Sequence, residues 1–205
     1  MALERPRTAP RIEYEDIFTV LIGDHERAFA IHDSVVTKKS EFFRAACNGK
    51  FKAAKEKTIR LPEAEIESFR SYIQWCYNDT ISIGPATSGS DESLNITRGA
   101  EEQRALSRLY RLASLFLDTT LQNKVIDTLR ASIRYHKQGP GVDLVAYAYN
   151  NLQPGCTMQR LVLAWYVYRQ DSVAEYLGRH REAFPERFWS DLVLTTAKAR
   201  GMGED

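Results

Sequence analysis

The spacing of the apolar residues changes at His32, and that change constrains the fold more than any other feature of the chain. Before it, Phe18-Thr-Val-Leu-Ile22 is a compact apolar run closed by Gly23, the length and composition of a buried strand. Asp24-His25-Glu26 is a polar turn and Arg27-Ala-Phe-Ala-Ile31 returns as a second strand, so the two form a hairpin. After it, helical spacing dominates. Val35 and Val36, then Phe42, Phe43, Ala46 and Cys47, suit two short helices, with Ser40 placed to cap the second and Asn48-Gly49 to stop it.

Lys57-Thr-Ile-Arg-Leu61 alternates polar and apolar, which predicts a half-exposed strand ended by Pro62. Over 63–77 the residues Ile66, Phe69, Ile73 and Cys76 recur at helical spacing, with acids crowding the first turn. Thr80-Ile-Ser-Ile83 reads as a short strand, and 84–99, rich in Gly, Pro, Ser, Thr, Asp and Asn, as a flexible loop. Helices are then expected over 101–116, from Leu121 to Ile133, and over 142–152, 157–169 and 186–198, with Gly139-Pro-Gly141 breaking the chain between the second and third. The order is mixed α and β, and the connections are too short for a run of parallel crossovers. A small sheet against a helical cluster is the expected α+β architecture.

The balance of 28 Lys and Arg against 27 Asp and Glu leaves a net charge of +1, which argues against general attraction to nucleic acid or an anionic membrane. No apolar run approaches the roughly 18 residues of a membrane span. Residues 1–11 carry Arg and Pro without an apolar core, unlike a signal peptide. Cys47, Cys76 and Cys156 are odd in number and widely spaced, as expected of buried thiols in a reducing interior. The expected location is cytoplasmic or nuclear, and Asn95-Ile96-Thr97 is then a glycosylation pattern without meaning.

Reactive groups at usable spacing are missing. The chain has no GxGxxG, Walker, GxSxG or HExxH pattern. His25 and His32 are read as surface or capping residues rather than metal ligands. The apolar neighbours of Cys47, Phe43, Ala45 and Ala46, point to a packed thiol rather than a nucleophile. Glu101 and Glu102 diverge by about 100° on a helix and suit its N-terminus better than acid–base work. Tyr147, Tyr149, Trp165, Tyr166 and Tyr168 lack the interleaved Lys and Arg of a base-stacking platform, and packing is the expected role. Neither catalysis nor a cofactor is expected.

The order of short motifs resembles a known family. Phe18-Thr-Val-Leu-Ile-Gly23, Phe29-Ala-Ile-His32 and Ser40-Glu-Phe-Phe43 are similar to the BTB/POZ signature. Gly49-Lys-Phe51, Ile59-Arg-Leu-Pro62, Phe69 and Tyr72-Ile-Gln-Trp-Cys-Tyr77 follow in the same order and spacing. Tyr147-Ala-Tyr149 and Gly155-Cys-Thr-Met-Gln-Arg-Leu161 resemble the helical tail of fungal members. The resemblance implies a BTB/POZ fold over 16–135 and an all-helical extension over 136–200, between a flexible leader (1–15) and a tail (201–205). It also implies that His32 ends the second strand and orients the next helix by hydrogen bonding, and that Phe29, Phe42, Phe43, Phe69 and Trp75 anchor a core.

The same resemblance implies a non-catalytic module for association with itself or another BTB protein. The expected dimer surface is the helix from Asp33 to Lys39, with Val35, Val36 and Lys39 as contacts, together with the residues before Phe18, among them Ile12, Tyr14 and Ile17. The alternatives are an adaptor for a cullin-based ubiquitin ligase, with Phe42, Tyr77, Asn78 and Asp79 as candidate cullin contacts, and a transcription regulator. The chain departs from the family pattern at Asn78-Asp79, where Thr-Gly is common, and at Ala53, where an acid is common. It also has no hydrophobic-x-Glu triplet between Asn78 and Gly99.

Overall fold

The computed structural model describes residues 16–48, 52–83 and 92–201. In chain order they form β1 (Ile17–Ile22), β2 (Arg27–His32), α1 (Asp33–Lys39), α2 (Glu41–Cys47), α3 (Lys52–Glu56), β3 (Thr58–Leu61) and α4 (Ile66–Asn78). There follow α5 (Glu92–Leu115), α6 (Thr119–His136), α7 (Val142–Asn151), α8 (Thr157–Tyr168), α9 (Gln170–Arg179), a 3-10 turn at Arg181–Ala183, and α10 (Glu186–Gly201). The chain divides between Ile66 and Glu67 into two compact units, the first holding the sheet and the second helical.

In the first unit the sheet order is β2-β1-β3. The hairpin forms as expected. Gly23 sits at φ +72°, where a side chain would be strained, and its carbonyl accepts from the Glu26 N–H at 3.0 Å. The register sets Val20 of β1 beside Phe29 of β2 and Ile59 of β3. Because side chains alternate, Phe18, Val20, Ile22, Ile31 and Ile59 then share one face, and all are buried. β3 joins β1 in parallel, a pairing the short connections spoke against. It is possible because the chain between β2 and β3 carries α1, α2 and α3, which gives it the reach of a crossover.

Ser40 joins two helices. Its N–H donates to the Val36 carbonyl at 2.9 Å to close α1, and its Oγ accepts from the Phe43 N–H at 3.1 Å to open α2. His32 ends β2, as expected, and occupies the N-cap position of α1, where its side chain makes no capping bond. Helix α3 was not expected, since five residues with two alanines carry no readable period.

In the second unit α5 and α6 supply the largest apolar faces. Leu106, Leu109 and Ala113 of α5, Phe116 just beyond it, and Leu121, Val125 and Leu129 of α6 are essentially inaccessible. The turn between them is set by polar atoms. Leu117 takes φ +54°, Asp118 donates its N–H to the Ala113 carbonyl at 2.9 Å, and its Oδ1 accepts from the Leu121 N–H at 2.8 Å. Its Oδ2 accepts from Trp75 Nε1 at 3.0 Å, so the core anchor expected at Trp75 also fixes this cap.

Two buried glutamines fasten the later loops. Gln103 Nε2 donates to the carbonyls of Gln138 and Gly139, and its Oε1 accepts from the Gly141 N–H. Gln159 accepts from the Gly155 N–H at 2.7 Å and donates to the Ala148 carbonyl at 2.9 Å.

Two further expectations fail here. Thr80–Ile83 has no regular structure, because a four-residue alternation makes a strand only beside a partner, and among the described residues none pairs with it. Of the expected loop 84–99, residues 84–91 lie outside the described residues and Glu92–Gly99 belong to α5. Gly99 is there for packing, since an added Cβ would lie 2.6 Å from Gln138 Oε1 and 3.1 Å from His136 Cγ. The segment between Tyr168 and Glu186, for which no element was expected, contains α9, and α10 runs to Gly201, one residue into the expected tail. The leader at 1–15, with Ile12 and Tyr14, and the Gly49-Lys-Phe51 motif lie outside the described residues.

Candidate interaction surface

The expected dimer contacts separate on inspection. Val35 is 5% exposed and Val36 0%, so both are spent on the interior of the protein and are not available as surface contacts. A two-residue apolar pair on a short helix does not say which side faces inward. Lys39 is half-buried, and Lys38 is the exposed residue of α1. Ile17, at the start of β1, is 49% exposed.

The candidate cullin contacts fall in both units. Phe42 is half-buried on α2 in the first. Tyr77, 39% exposed, and the exposed Asn78 and Asp79 are at the end of α4 in the second. Asp79 takes φ +56° and donates its N–H to the Trp75 carbonyl at 3.0 Å. The left-handed turn that ends α4 is the kind of position glycine favours, and aspartate is among the few side chains that tolerate it. The departure at Asn78-Asp79 therefore keeps the turn.

A site not anticipated lies in the first unit. Helix α2, helix α3 and strand β3 surround an open cleft of about 440 Å³, lined by Phe42, Ala45, Ala46, Ala53, Glu56, Thr58, Ile59 and Arg60. Its walls are mainly apolar. The alanine at 53, where the family commonly has an acid, keeps charge off that wall. Phe42, Ala45 and Ala46 stand at the three- and four-residue spacing of one helix face, which was legible, but beside a second apolar residue, Phe43, it read as core.

Three consecutive residues of β3 line this cleft, although strand side chains alternate in direction. It therefore runs along the edge of the strand rather than over one face. The hydrogen bonds agree. Thr19 N–H donates to the Lys57 carbonyl at 2.9 Å and Gly23 N–H to the Leu61 carbonyl at 3.1 Å. The odd-numbered residues thus point their backbone groups toward β1, and Thr58 and Arg60 point theirs away from it, along the cleft.

Charge lies at the rim. Arg60 is 3.3 Å from Glu26 and 3.9 Å from Glu56, and all three are well exposed, so the pairs are weak and exchangeable. At the start of the strand, Lys57 is held above the ordinary lysine range by its 2.5 Å hydrogen bond to Asp16.

The groups considered for chemistry lie elsewhere. Burial, assisted by Asp33, pushes the Cys47 thiol up to about 11, which leaves little thiolate at neutral pH. Glu102 accepts from Ser132 Oγ at 2.9 Å and is 2.9 Å from His136 Nε2, an interhelical tie in which the exposed Glu101 has no share. Of the five clustered aromatics, Tyr149 and Tyr166 are buried, Tyr147 and Trp165 half-buried, and Tyr168 is 84% exposed. Among the described residues no group of three or more His, Cys, Asp or Glu is placed to hold a metal, and no helix is long and apolar enough to cross a membrane.

The described residues thus form a small mixed sheet carrying short helices, with an open apolar cleft at its edge, and a helical second unit. The model of the BTB/POZ domain family matches residues 13–133, more than half of the chain, and the chain belongs to that family. BTB/POZ domains are in general protein–protein interaction modules and are not typically catalytic. No curated protein matched the chain.

Proposed function

We propose that this chain works in the cytoplasm or nucleus by associating with a second copy of itself or with another BTB/POZ protein. The observation that carries this reading is the apolar cleft beside β3, with strand backbone directed along it and charge confined to its rim. Such a surface has shape and hydrogen-bonding groups for a protein partner, and affinity there would come from a few apolar contacts and the strand edge. Two differently tagged copies co-expressed in one cell test it. Co-purification of both tags is the expected result, and their failure to co-purify, with no BTB/POZ protein retained, overturns the reading.

A second reading, adaptor to a cullin scaffold, draws on the exposed Tyr77, Asn78 and Asp79 at the end of α4. Retention of a purified cullin scaffold by the chain, lost in Tyr77→Ala, would support it. Equal retention by wild type and variant would remove Tyr77 from the contact.

A further inference from the structure

We infer that the outer edge of β3, with the cleft beside it, takes an extended segment of a partner protein in which apolar residues alternate with acids. This rests on the association reading above and names the kind of segment that enters the cleft.

The backbone asks for an extended occupant. β3 ends the sheet order β2-β1-β3, and among the described residues no strand lies on its other side. The chain enters it from α3 through Lys57 at φ +45°, so the strand available for pairing is Thr58–Leu61 alone. Within it Thr58 and Arg60 direct their N–H and C=O groups away from β1. An extended segment laid there completes up to four backbone hydrogen bonds. A helix cannot do so, because its own backbone groups are already bonded.

The walls select half of its side chains. Along an added strand these alternate as they do along β3. Those on the side of buried Ile59 meet Phe42, Ala45, Ala46 and Ala53, so they must be apolar.

Charge selects the other half, which stands across from Thr58 and Arg60. Residues 41–61 hold every residue that lines the cleft and carry six Lys and Arg against two Glu, a balance of +4 in a chain whose total is +1. Asp16, bonded to Lys57, and Glu26, bonded to Arg60, bring acid from outside that stretch and still leave +2. Arg60 is exposed, and its contacts to Glu26 and Glu56, at 3.3 and 3.9 Å, are loose. A carboxylate directly across the strand pair can therefore take it over, whereas a basic segment would meet like charge.

Two end-blocked synthetic peptides titrated into the full chain test this, Val-Glu-Val-Glu-Val-Glu and Val-Lys-Val-Lys-Val-Lys. The acidic peptide should bind with a Kd of about 0.1–1 mM and protect the backbone amides of Thr58 and Arg60 from hydrogen exchange. The basic peptide should bind about tenfold more weakly or worse. Ser-Glu-Ser-Glu-Ser-Glu, which keeps the charge and loses the apolar side, should weaken to a similar degree. Arg60→Glu changes an exposed side chain and should invert the preference, the basic peptide now binding the tighter, and that rescue also reports an intact fold. Equal binding of the acidic and basic peptides, or acidic binding that leaves those two amides unprotected, overturns the inference. Absence of binding by either peptide overturns it as well, while co-purification of the two tagged copies still reads association by itself. Protection of the same amides in the chain alone as its concentration rises gives the edge to a second copy and overturns the acidic segment.

Discussion

Asp118 concentrates several roles in one side chain. It is 1% exposed, caps α6 through one oxygen and accepts from Trp75 through the other. Asp118→Ala would remove the acceptor of the Leu121 N–H and of the Trp75 indole N–H, and should cost about 2–4 kcal/mol. Trp75→Ala removes the ring as well and should cost about 3–5 kcal/mol. Urea midpoints of the two variants and of the double mutant measure this. Because the residues share a bond, the double variant should lose less than the sum of the singles, and strict additivity would mean that the bond contributes nothing. Ser40 and Asp118 differed in how readable they were. A serine before an apolar helical run is a local cap signal, whereas the link from Trp75 to Asp118 spans 43 residues and leaves no local trace.

The elements separate according to whether their signal was local. The hairpin, α1, α2, β3 and the helices from α6 to α8 follow from periodicity and turn residues close to where the sequence places them. The four residues at 80–83 failed because a strand is a property of a pair. Gly99 misled because glycine suggested a loop, whereas here it lies on a helix with the side chains of His136 and Gln138 close against it. The cleft was hidden for a similar reason. Alanines and a phenylalanine on α2 look the same to a periodicity argument whether they face a core or a groove.

Burial of α1 changes what its substitution should do. Val36→Asp places a carboxylate where exposure is 0%, so it should lower the melting temperature of the monomer sharply, by more than about 8 °C. An unchanged melting temperature with a changed solution mass would return α1 to the interface. Gly139 makes a comparable point for the loop before α7. A Cβ there would lie 2.1 Å from the Trp165 ring, so Gly139→Ala should destabilise the protein, and no loss in a thermal melt would show that the ring moves aside.

For the whole molecule, stability at high pH follows from its buried phenols. Burial raises the pKa of Tyr166 and Tyr149 above the ordinary value of 10. The folded state therefore holds these protons more tightly than the unfolded chain. Their contribution is fully present below pH 10 and is lost as pH rises above it, because ionisation in the unfolded chain then favours unfolding. A fall in urea midpoint above pH 10, shallower in Tyr166→Phe, is expected, even though that variant forfeits the 2.5 Å bond from the phenol to the Pro140 carbonyl. A midpoint independent of pH between 9 and 11 would contradict it.

The central claim is that the molecule works by association, and solution mass across a dilution series tests it most directly. Sedimentation velocity from low micromolar to several hundred micromolar should show monomer and dimer in exchange, with the weight-average mass rising smoothly from about one chain toward two. One chain mass at every concentration, together with no other BTB/POZ protein bound, would contradict the account.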